Sequence, residues 1–489
     1  MIRIKITSAV ILCLVLIGAA AWAQTAAITG EITDQSKAAL PGVTVSVTSQ
    51  LTNVKTVAES NERGYYTVLN LSPGVYRVEA ELPGFKKYVH PDLTLDVDQT
   101  ARINIQMQIG QITDEVRVTA EAPVLNTENA AKGSVVYNQE ITDLPVESRD
   151  FSDLVFLTVG VVPKQEGAQG GYASINGSRM DSMNYVLDGS NNSIMRGGDA
   201  FVRPSLDSIQ EFKVHTSNYS AEYGRRSTGV INVILRSGTN SFHGSLFEFH
   251  RNSIFDARSY FDQNKPKLVR NNFGGTLGGP VIRNKTFFFA SYEGWYLRQG
   301  NTRLQRTPTL AERAGYFSSL LPGIKIKDPL TGKDLANNII PASRFHTTSL
   351  KIMESFPLPN TSRGPYNYVT SKSDADDYHD FVTKLDHHFW QADSLSLRYL
   401  HNRRYLDEPF NGSDFPGFGR SGPQSLTGAG INWTHTWTPR LITQALVNFS
   451  RKDQDFIGYT QGTDYCARFG IAGCTKDPQL IGFPRITIK

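Results

Sequence analysis

Three histidines, a glycine run and two cysteines are the residues whose types first suggest chemistry in this chain. His379, His387 and His388 are side chains that a metal ion would use, yet along an extended chain His387 and His388 point to opposite faces, so no shared site is expected. Gly274-Gly275-Thr276-Leu277-Gly278-Gly279 has the look of a phosphate cradle, but the following Lys-Ser/Thr is missing and no helical pattern comes after it. Glycine there is expected to let strands approach or bend. Asp188, Asn191 and Asn192 offer oxygen ligands without the ordered spacing of a calcium loop. There is no H-E-x-x-H zinc pattern and no convincing catalytic triad, so no metal, cofactor or enzymatic activity is expected.

What remains is chemistry of the backbone. Asp114-Glu115-Val116-Arg117-Val118-Thr119-Ala120 places Val116 and Val118 on one side of an extended chain and Arg117 and Thr119 on the other, and Glu121-Ala122-Pro123 ends it. No hairpin turn residues lie close by, so it reads as a strand without a partner. Its free N–H and C=O groups suit docking by strand addition. The same residues also read as the tail of the first domain or as a stiff linker.

The elements that must position this segment follow from length and patterning. The chain has 489 residues, enough for about three domains. Charged residues are 20% and the net charge is +4, which gives no field that suggests nucleic acid. Mean hydropathy is -0.30 and no 18-residue apolar run follows the N-terminus, which excludes a helical membrane protein but not a membrane β-barrel. Arg3 and Lys5 precede an apolar run from Ala9 to Ala21, and Ala21-Trp22-Ala23 supplies a cleavage pattern, so residues 1–23 read as a signal peptide and the mature chain as exported. Cys13 leaves with that leader. Cys466 and Cys474 remain as an even pair in an oxidising compartment and read as a loop disulfide; free or metal-bound thiols fit less well because no His or further Cys lies in that loop.

Residues 26–109 alternate cleanly, with Val43, Val45 and Val47, then Tyr76, Val78 and Ala80, then Leu93, Leu95 and Val97 punctuated by Pro41-Gly42, Ser72-Pro73-Gly74 and Pro83-Gly84. About seven short strands of this kind make a small β-sandwich. The run Gly30-Glu31-Ile32-Thr33-Asp34, Leu40-Pro41-Gly42-Val43, Gly64-Tyr65-Tyr66 and Leu71-Ser72-Pro73-Gly74-Val75-Tyr76 resembles the carboxypeptidase regulatory-like domain. That resemblance implies a spacer, an interaction module or a purely stabilising domain, not peptidase chemistry.

Residues 130–240 change period. Ser148 is placed to cap a helix carrying Phe151, Leu154 and Val155 on one face, and Pro204 suits the first turn of a second carrying Leu206 and Ile209, among extended pieces at Val135-Val136, Tyr185-Val186-Leu187 and Val230 to Leu235. A small mixed α/β unit is expected. Ile175-Asn176-Gly177-Ser178-Arg179, Val186-Leu187-Asp188-Gly189, Ile209-Gln210-Glu211-Phe212-Lys213-Val214, Ala221-Glu222-Tyr223-Gly224 and Arg236-Ser237-Gly238-Thr239-Asn240 together resemble the plug domain of TonB-dependent outer-membrane receptors. The sandwich-plus-plug order is similar to the Oar-like branch. The resemblance marks Asn176, Gly177, Arg179, Leu187, Asp188, Gly189, Tyr223 and Gly224 as plug-motif residues, although Asp188-Gly189 also suits any turn. It implies that residues 110–129 form a linker holding a TonB box at Asp114 to Ala120.

From residue 241 to 489 the pattern becomes long amphipathic strands. Phe381, Thr383, Leu385 and Phe389 alternate with Val382, Lys384, Asp386 and His388, while Ala429, Ile431, Trp433 and Trp437 alternate with Gly430, Asn432, Thr434 and Thr436. Apolar outside and polar inside, with a wet lumen, fits a transmembrane antiparallel β-barrel. Residues 299–377 read as a long extracellular loop, and Gln391-Ala392-Asp393 and Pro439 as short periplasmic turns. About seven strands are convincing, whereas plugged transporters use about 22, so this stretch reads as the N-terminal portion of a longer barrel. The expected whole is a multidomain, mainly β protein of the bacterial outer membrane, with its sandwich in the periplasm. Its implied partners are TonB, outer-membrane lipid and an unidentified extracellular ligand such as a sugar, peptide or chelate. The implied function is energised import; an adhesion, scaffold or secretion-linked protein is the alternative.

Overall fold

The computed structural model describes residues 26–117, 131–144, 146, 149–163, 173–179, 182–194, 200–220, 223–224, 226, 228–258, 265–362, 365–390, 393–410, 418–438 and 441–484. The leader, residues 118–120, Ser148 and the turns at 391–392 and 439–440 lie outside them.

The N-terminal alternation folds into two facing sheets. In chain order the strands are β1 (Ala26–Thr33), β2 (Thr44–Ser49), β3 (Lys55–Glu59), β4 (Tyr65–Leu71), β5 (Gly74–Glu81), β6 (Lys87–Leu95), β7 (Thr100–Arg102), β8 (Ile105–Gln106) and β9 (Glu115–Arg117). One sheet runs β4-β1-β7 with β8 also on β1, and the other runs β3-β2-β5-β6-β9. The inward positions read from the alternation, including Val45, Val78, Leu95 and Val97, are all buried. Gly30 is fixed by close approach: a Cβ there would sit 1.8 Å from the Ile103 carbonyl oxygen and 2.9 Å from the Tyr66 ring.

β9 corrects the expectation of a strand without a partner. It pairs in parallel with β6, Lys87 opposite Glu115, Tyr88 opposite Val116 and Val89 opposite Arg117. A parallel neighbour needs no hairpin turn, and its partner lies far back in the chain, so the missing turn signal did not mean a missing partner.

The second unit begins with β10 (Lys132–Tyr137), followed by helices α1 (Asn138–Asp143) and α2 (Phe151–Leu154). β11 (Val161–Pro163) and β12 (Ala173–Ile175) make a small ribbon, and β13 (Met183–Leu187), β14 (Ser190–Asn191), β15 (Ile209–Ser217) and β16 (Gly229–Leu235) complete the main sheet in the order β10-β15-β16-β13-β14. The mixed α/β expectation holds, with β13 and β16 parallel and the other pairs antiparallel. Both helices differ in detail. Asp150, not Ser148, caps α2, accepting from Ser152 N at 2.9 Å. Beyond Pro204 there is only a 3-10 turn at Leu206–Ser208, because Ile209 opens a strand laddered on both sides by β10 and β16, and those bonds outweigh one more helical turn.

The third unit is an antiparallel meander of β17 (His243–Asn252), β18 (Leu268–Ile282), β19 (Thr286–Gln305), β20 (Tyr368–Trp390), β21 (Asp393–Glu408), β22 (Arg420–Thr438) and β23 (Leu441–Gln454). Outward positions are exposed and apolar: Phe381, Tyr399 and Ile431 are 46%, 46% and 47% accessible, while the adjacent Val382 and Leu400 are buried. The inner wall is more apolar than expected. Phe287 and Phe289 face inward and are buried, and Val382 and Leu400 join the apolar core of the second unit, which occupies the concave side. The glycine run lies inside β18, laddered on both sides.

The long loop is shorter than its composition suggested. β19 continues to Gln305 and β20 starts at Tyr368, so the connection is residues 306–367. Beyond the apolar band the paired strands are polar, with Thr302 Oγ1 2.8 Å from Ser371 Oγ, and Arg298 donating to both carboxylate oxygens of Asp377 at 2.5 and 3.0 Å. Hydropathy therefore hides them.

Gly30→Ala is expected to lower sandwich stability by about 1–3 kcal/mol, since the added methyl must push β1 away from Ile103. Thermal unfolding followed by proteolysis at residues 26–117 checks this, and an unchanged midpoint would contradict the close-approach reading.

Candidate functional site

The chemistry of the molecule collects at the seams between its three units. β15 alternates Phe212 and Val214, which enter the second unit's core, with Glu211, Lys213 and His215, which face the sandwich. The register sets Asn232 of β16 beside Lys213 on that same face. Against it lies the turn between β6 and β7, where Asp98 has a left-handed backbone with φ of 54°.

Asp98 is the centre of this seam. Its Oδ2 accepts from Tyr223 Oη at 2.6 Å and from Asn232 Nδ2 at 2.9 Å, and His215 Nε2 lies 2.9 Å away. A carboxylate only accepts, so Nε2 of His215 carries the proton there. Burial works against the charge of Asp98, but the His215, Tyr223 and Asn232 bonds outweigh it and hold the carboxyl below its ordinary value. Lys213 Nζ donates to the Val97 and Asp98 carbonyls at 3.1 and 3.2 Å, and Glu211 accepts from Val97 N. Burial lowers the Lys213 ammonium from its ordinary value. It pushes Glu211 up to about 8, with Asp96 and Asp98 adding to the rise against the Val97 bond and Lys213.

A second seam joins the plug-like unit to the strands around it. Asp188, φ 43°, accepts from Leu235 N at 3.0 Å and lies 3.6 Å from both Lys384 Nζ of β20 and Arg398 Nη1 of β21. Arg398 also donates to Asn448 Oδ1 at 2.9 Å and to the Leu187 carbonyl. Arg149 reaches Asp207 and, at 3.4 Å, Glu293 of β19, with its guanidinium 4.4 and 4.5 Å from the ring centres of Phe247 and Phe249.

At the short-turn end all three units meet. Asn240 Nδ2 donates to Asn284 Oδ1 at 2.7 Å, Asn53 Nδ2 to the same oxygen at 3.2 Å, Asn240 N to the Leu51 carbonyl at 3.0 Å, and Asn70 Nδ2 to Thr434 Oγ1 at 2.6 Å. A cavity of about 570 Å³ lies there, lined by residues of each unit including Asn70, Asp188, Lys384, Arg398 and Asn432.

The residues singled out from sequence are thereby divided. Asp114 to Arg117 lie on the sandwich edge. Asn176 and Gly177 form a turn with φ of 51° and 74°, Asn176 donating to the Thr216 carbonyl at 3.0 Å, and Arg179 follows it. Leu187 is buried, Asp188-Gly189 turns β13 into β14, and Tyr223 reaches Asp98 with Gly224 beside it. Cys466 and Cys474 are joined in a disulfide at the long-loop end. Asn192 clamps Val202 through both its amide atoms. His379 meets Tyr292 Oη at 2.9 Å and His387 meets Thr286 Oγ1 at 2.8 Å on the outer face, while His388 lines the inner cavity; among the described residues no cluster suits a metal. Asp98, Glu211, Lys213, His215, Arg149, Lys384 and Arg398 were missed. The period-2 stripe of Glu211, Lys213 and His215 within an otherwise apolar strand was the readable signal for three of them.

An antiparallel wall with an apolar outer face and a plug seated on its inner face defines an outer-membrane β-barrel protein with an internal plug. Residues 234–489, just over half of the chain, match the outer membrane beta barrel domain model, and the chain belongs to that family. Residues 126–231 match the TonB-dependent receptor plug domain and residues 27–108 the carboxypeptidase regulatory-like domain. The chain is 29% identical over 314 residues to the TonB-dependent transporter Oar of Myxococcus xanthus, covering 61% of this chain and 29% of that protein. The chain thus carries a TonB-dependent receptor plug domain ahead of an outer membrane β-barrel, an arrangement located in the outer membrane. The outer membrane transporter YddB from Escherichia coli aligns with a TM-score of 0.43 at 12% identity, over 65% of this chain and 38% of that one. The siderophore receptor PiuA from Acinetobacter baumannii aligns with a TM-score of 0.35 at 15% identity, over 68% and 47%. The chain thus spans under a third of the curated relative and under half of either solved structure.

Two outcomes test the Asp98 seam. Asp98→Ala strands the donors of Tyr223, Asn232 and His215, at a cost of about 1–3 kcal/mol for each buried group left unmade. Faster proteolytic release of the sandwich is expected, with the barrel's heat resistance unchanged. For pH, the unfolded chain loses the Glu211 proton near 4.5 whereas the docked protein keeps it until about 8, so the docked state binds more protons in between and its stability falls as pH rises through that window. Glu211→Gln should flatten the dependence, as read by unfolding midpoints across the window.

Proposed function

We propose that the protein imports an extracellular ligand across the outer membrane, driven by TonB through the segment Asp114 to Ala120. The observation that carries this is the plug's attachment. β10, the first described element after that segment, is the edge strand of the plug sheet, and the plug meets the barrel through ion pairs at Asp188 and Arg149 as well as apolar contacts. Tension on the segment reaches β10 at Lys132, where the ladder to β15 opens bond by bond from its end.

On this reading the short-turn end, where the sandwich sits, faces the periplasm, and ligand binds at the long loops and the plug apex. The work is mechanical and needs no catalytic residue. The ligand belongs to the sugars, peptides or chelates that a polar, aromatic-rich surface accommodates. Affinity for TonB comes from backbone bonds, so side chains at Val118 and Thr119 matter less than their N–H groups.

Growth-linked uptake should disappear when residues 114–120 are deleted, with surface levels unchanged. Val118→Pro should weaken TonB binding more than Val118→Thr, because it removes an N–H and fixes φ. Equal binding by the two variants, or uptake unaffected by the deletion, would contradict the proposal and favour an adhesion or scaffold role.

A further inference from the structure

Glu115–Arg117 is the outermost strand of the sandwich's five-stranded sheet, and among the described residues only one of its two edges is paired. Lys87 N donates to the Asp114 carbonyl at 2.9 Å. In a parallel ladder the N–H and C=O of alternate residues point to the same side, so with Lys87 opposite Glu115 the backbone groups of Val116 face β6 and those of Glu115 and Arg117 face outward. Among the described residues no strand pairs with that outer edge.

The side chains agree with this division. Val116 is half-buried opposite the buried Tyr88, whereas Glu115 and Arg117 are exposed. Neither proline nor bulge, two of the devices that blunt an open edge, interrupts residues 114–117. The pairs that Lys87 makes with Glu79 and Glu81, at 3.1 and 3.0 Å, tie β6 to β5, and Lys86 Nζ lies 3.8 Å from Asp114 Oδ2 just before β9.

We propose that an extended strand of TonB adds to the outer edge of β9 while β9 stays on β6, so that the sandwich is a platform that presents Glu115 to Arg117 already extended. The proposal rests on the reading of Asp114 to Ala120 as the TonB-interacting segment. Ordering a disordered peptide costs binding free energy, and a segment held straight by its own domain has met some of that cost before the partner arrives. The added strand would extend the sheet to six members. Pull on it would then be shared between β9 and the chain leading to β10.

The test fixes β9 in place. Lys87→Cys and Glu115→Cys, combined in the full chain and bridged with the short bis-thiol reagent dibromobimane, lock the two strands; Cys466 and Cys474 are already joined and do not react. Affinity for the purified periplasmic domain of TonB is compared between bridged and unbridged samples of the same protein, so a folding defect common to both cancels. The platform predicts that bridging changes the affinity by less than about threefold. A loss of about tenfold or more on bridging, with the unbridged protein binding normally, would overturn it, because β9 would then have to leave β6 first. If deletion of residues 114–120 leaves affinity unchanged in the unbridged protein, the docking segment itself is wrongly assigned and the platform falls with it. Amide exchange on the unmodified protein is the second readout. TonB should newly protect the Glu115 and Arg117 amides while Val116 stays protected, and deprotection of Val116 on binding would sink the platform.

Discussion

Hydrocarbon offers no hydrogen-bond partner, and this one constraint organises the chain from β17 onward. Every backbone group in a spanning segment must be met within the protein, so the spans are laddered strands, and a ladder gives side chains a period of two. One face must then suit lipid, as Phe381, Tyr399 and Ile431 do. The other face is released from that demand and meets the plug. Its character is accordingly mixed, apolar at Phe287, Phe289, Val382 and Leu400 and charged at Lys384, Arg398 and Glu293.

The charged portion of that wall shapes how the plug is held. Asp188 and Arg149 each sit on a turn with positive φ and present a charge to the barrel, where it is partnered in a largely buried seam. Buried pairs of this kind add little net stability but penalise any arrangement that separates them. They favour one seating of the plug over its neighbours. Asp98 does the same beneath the plug, where one carboxylate gathers Tyr223, Asn232 and His215 and so sets the sandwich against β15 and β16. The sandwich is bonded to the short-turn end as well, through Asn53 and Asn70, so it is docked on the barrel strands instead of hanging as a free pendant domain.

Much of this architecture was legible because alternation is a local signal. Val43, Val45 and Val47, or Phe381 against Val382, declare their faces without knowledge of what they touch. The cap and turn after Pro204 were harder, because Ile209 to Ser217 is claimed by two neighbouring strands that local propensity does not see. β9 was misread for a related reason: its partner β6 is parallel and remote, so no turn announces it. The seam residues were least visible. Asp98 looks like an ordinary turn aspartate until the plug's Tyr223 and His215 are brought to it, and Arg398 looks like a lumen charge until Asp188 appears beside it. The sandwich and plug motifs, by contrast, could be recognised by family wording, which carries information about packing that periodicity lacks.

The central claim is that tension applied at Asp114 to Ala120 reaches the plug through β10 before it disrupts anything else. Single-molecule pulling on the full-length receptor through bound TonB measures this directly. The expected trace shows a first extension from the separation of β10 from β15, with the barrel and sandwich intact and TonB still attached. Unfolding of the sandwich first, or release of TonB with no event in the plug, would contradict it.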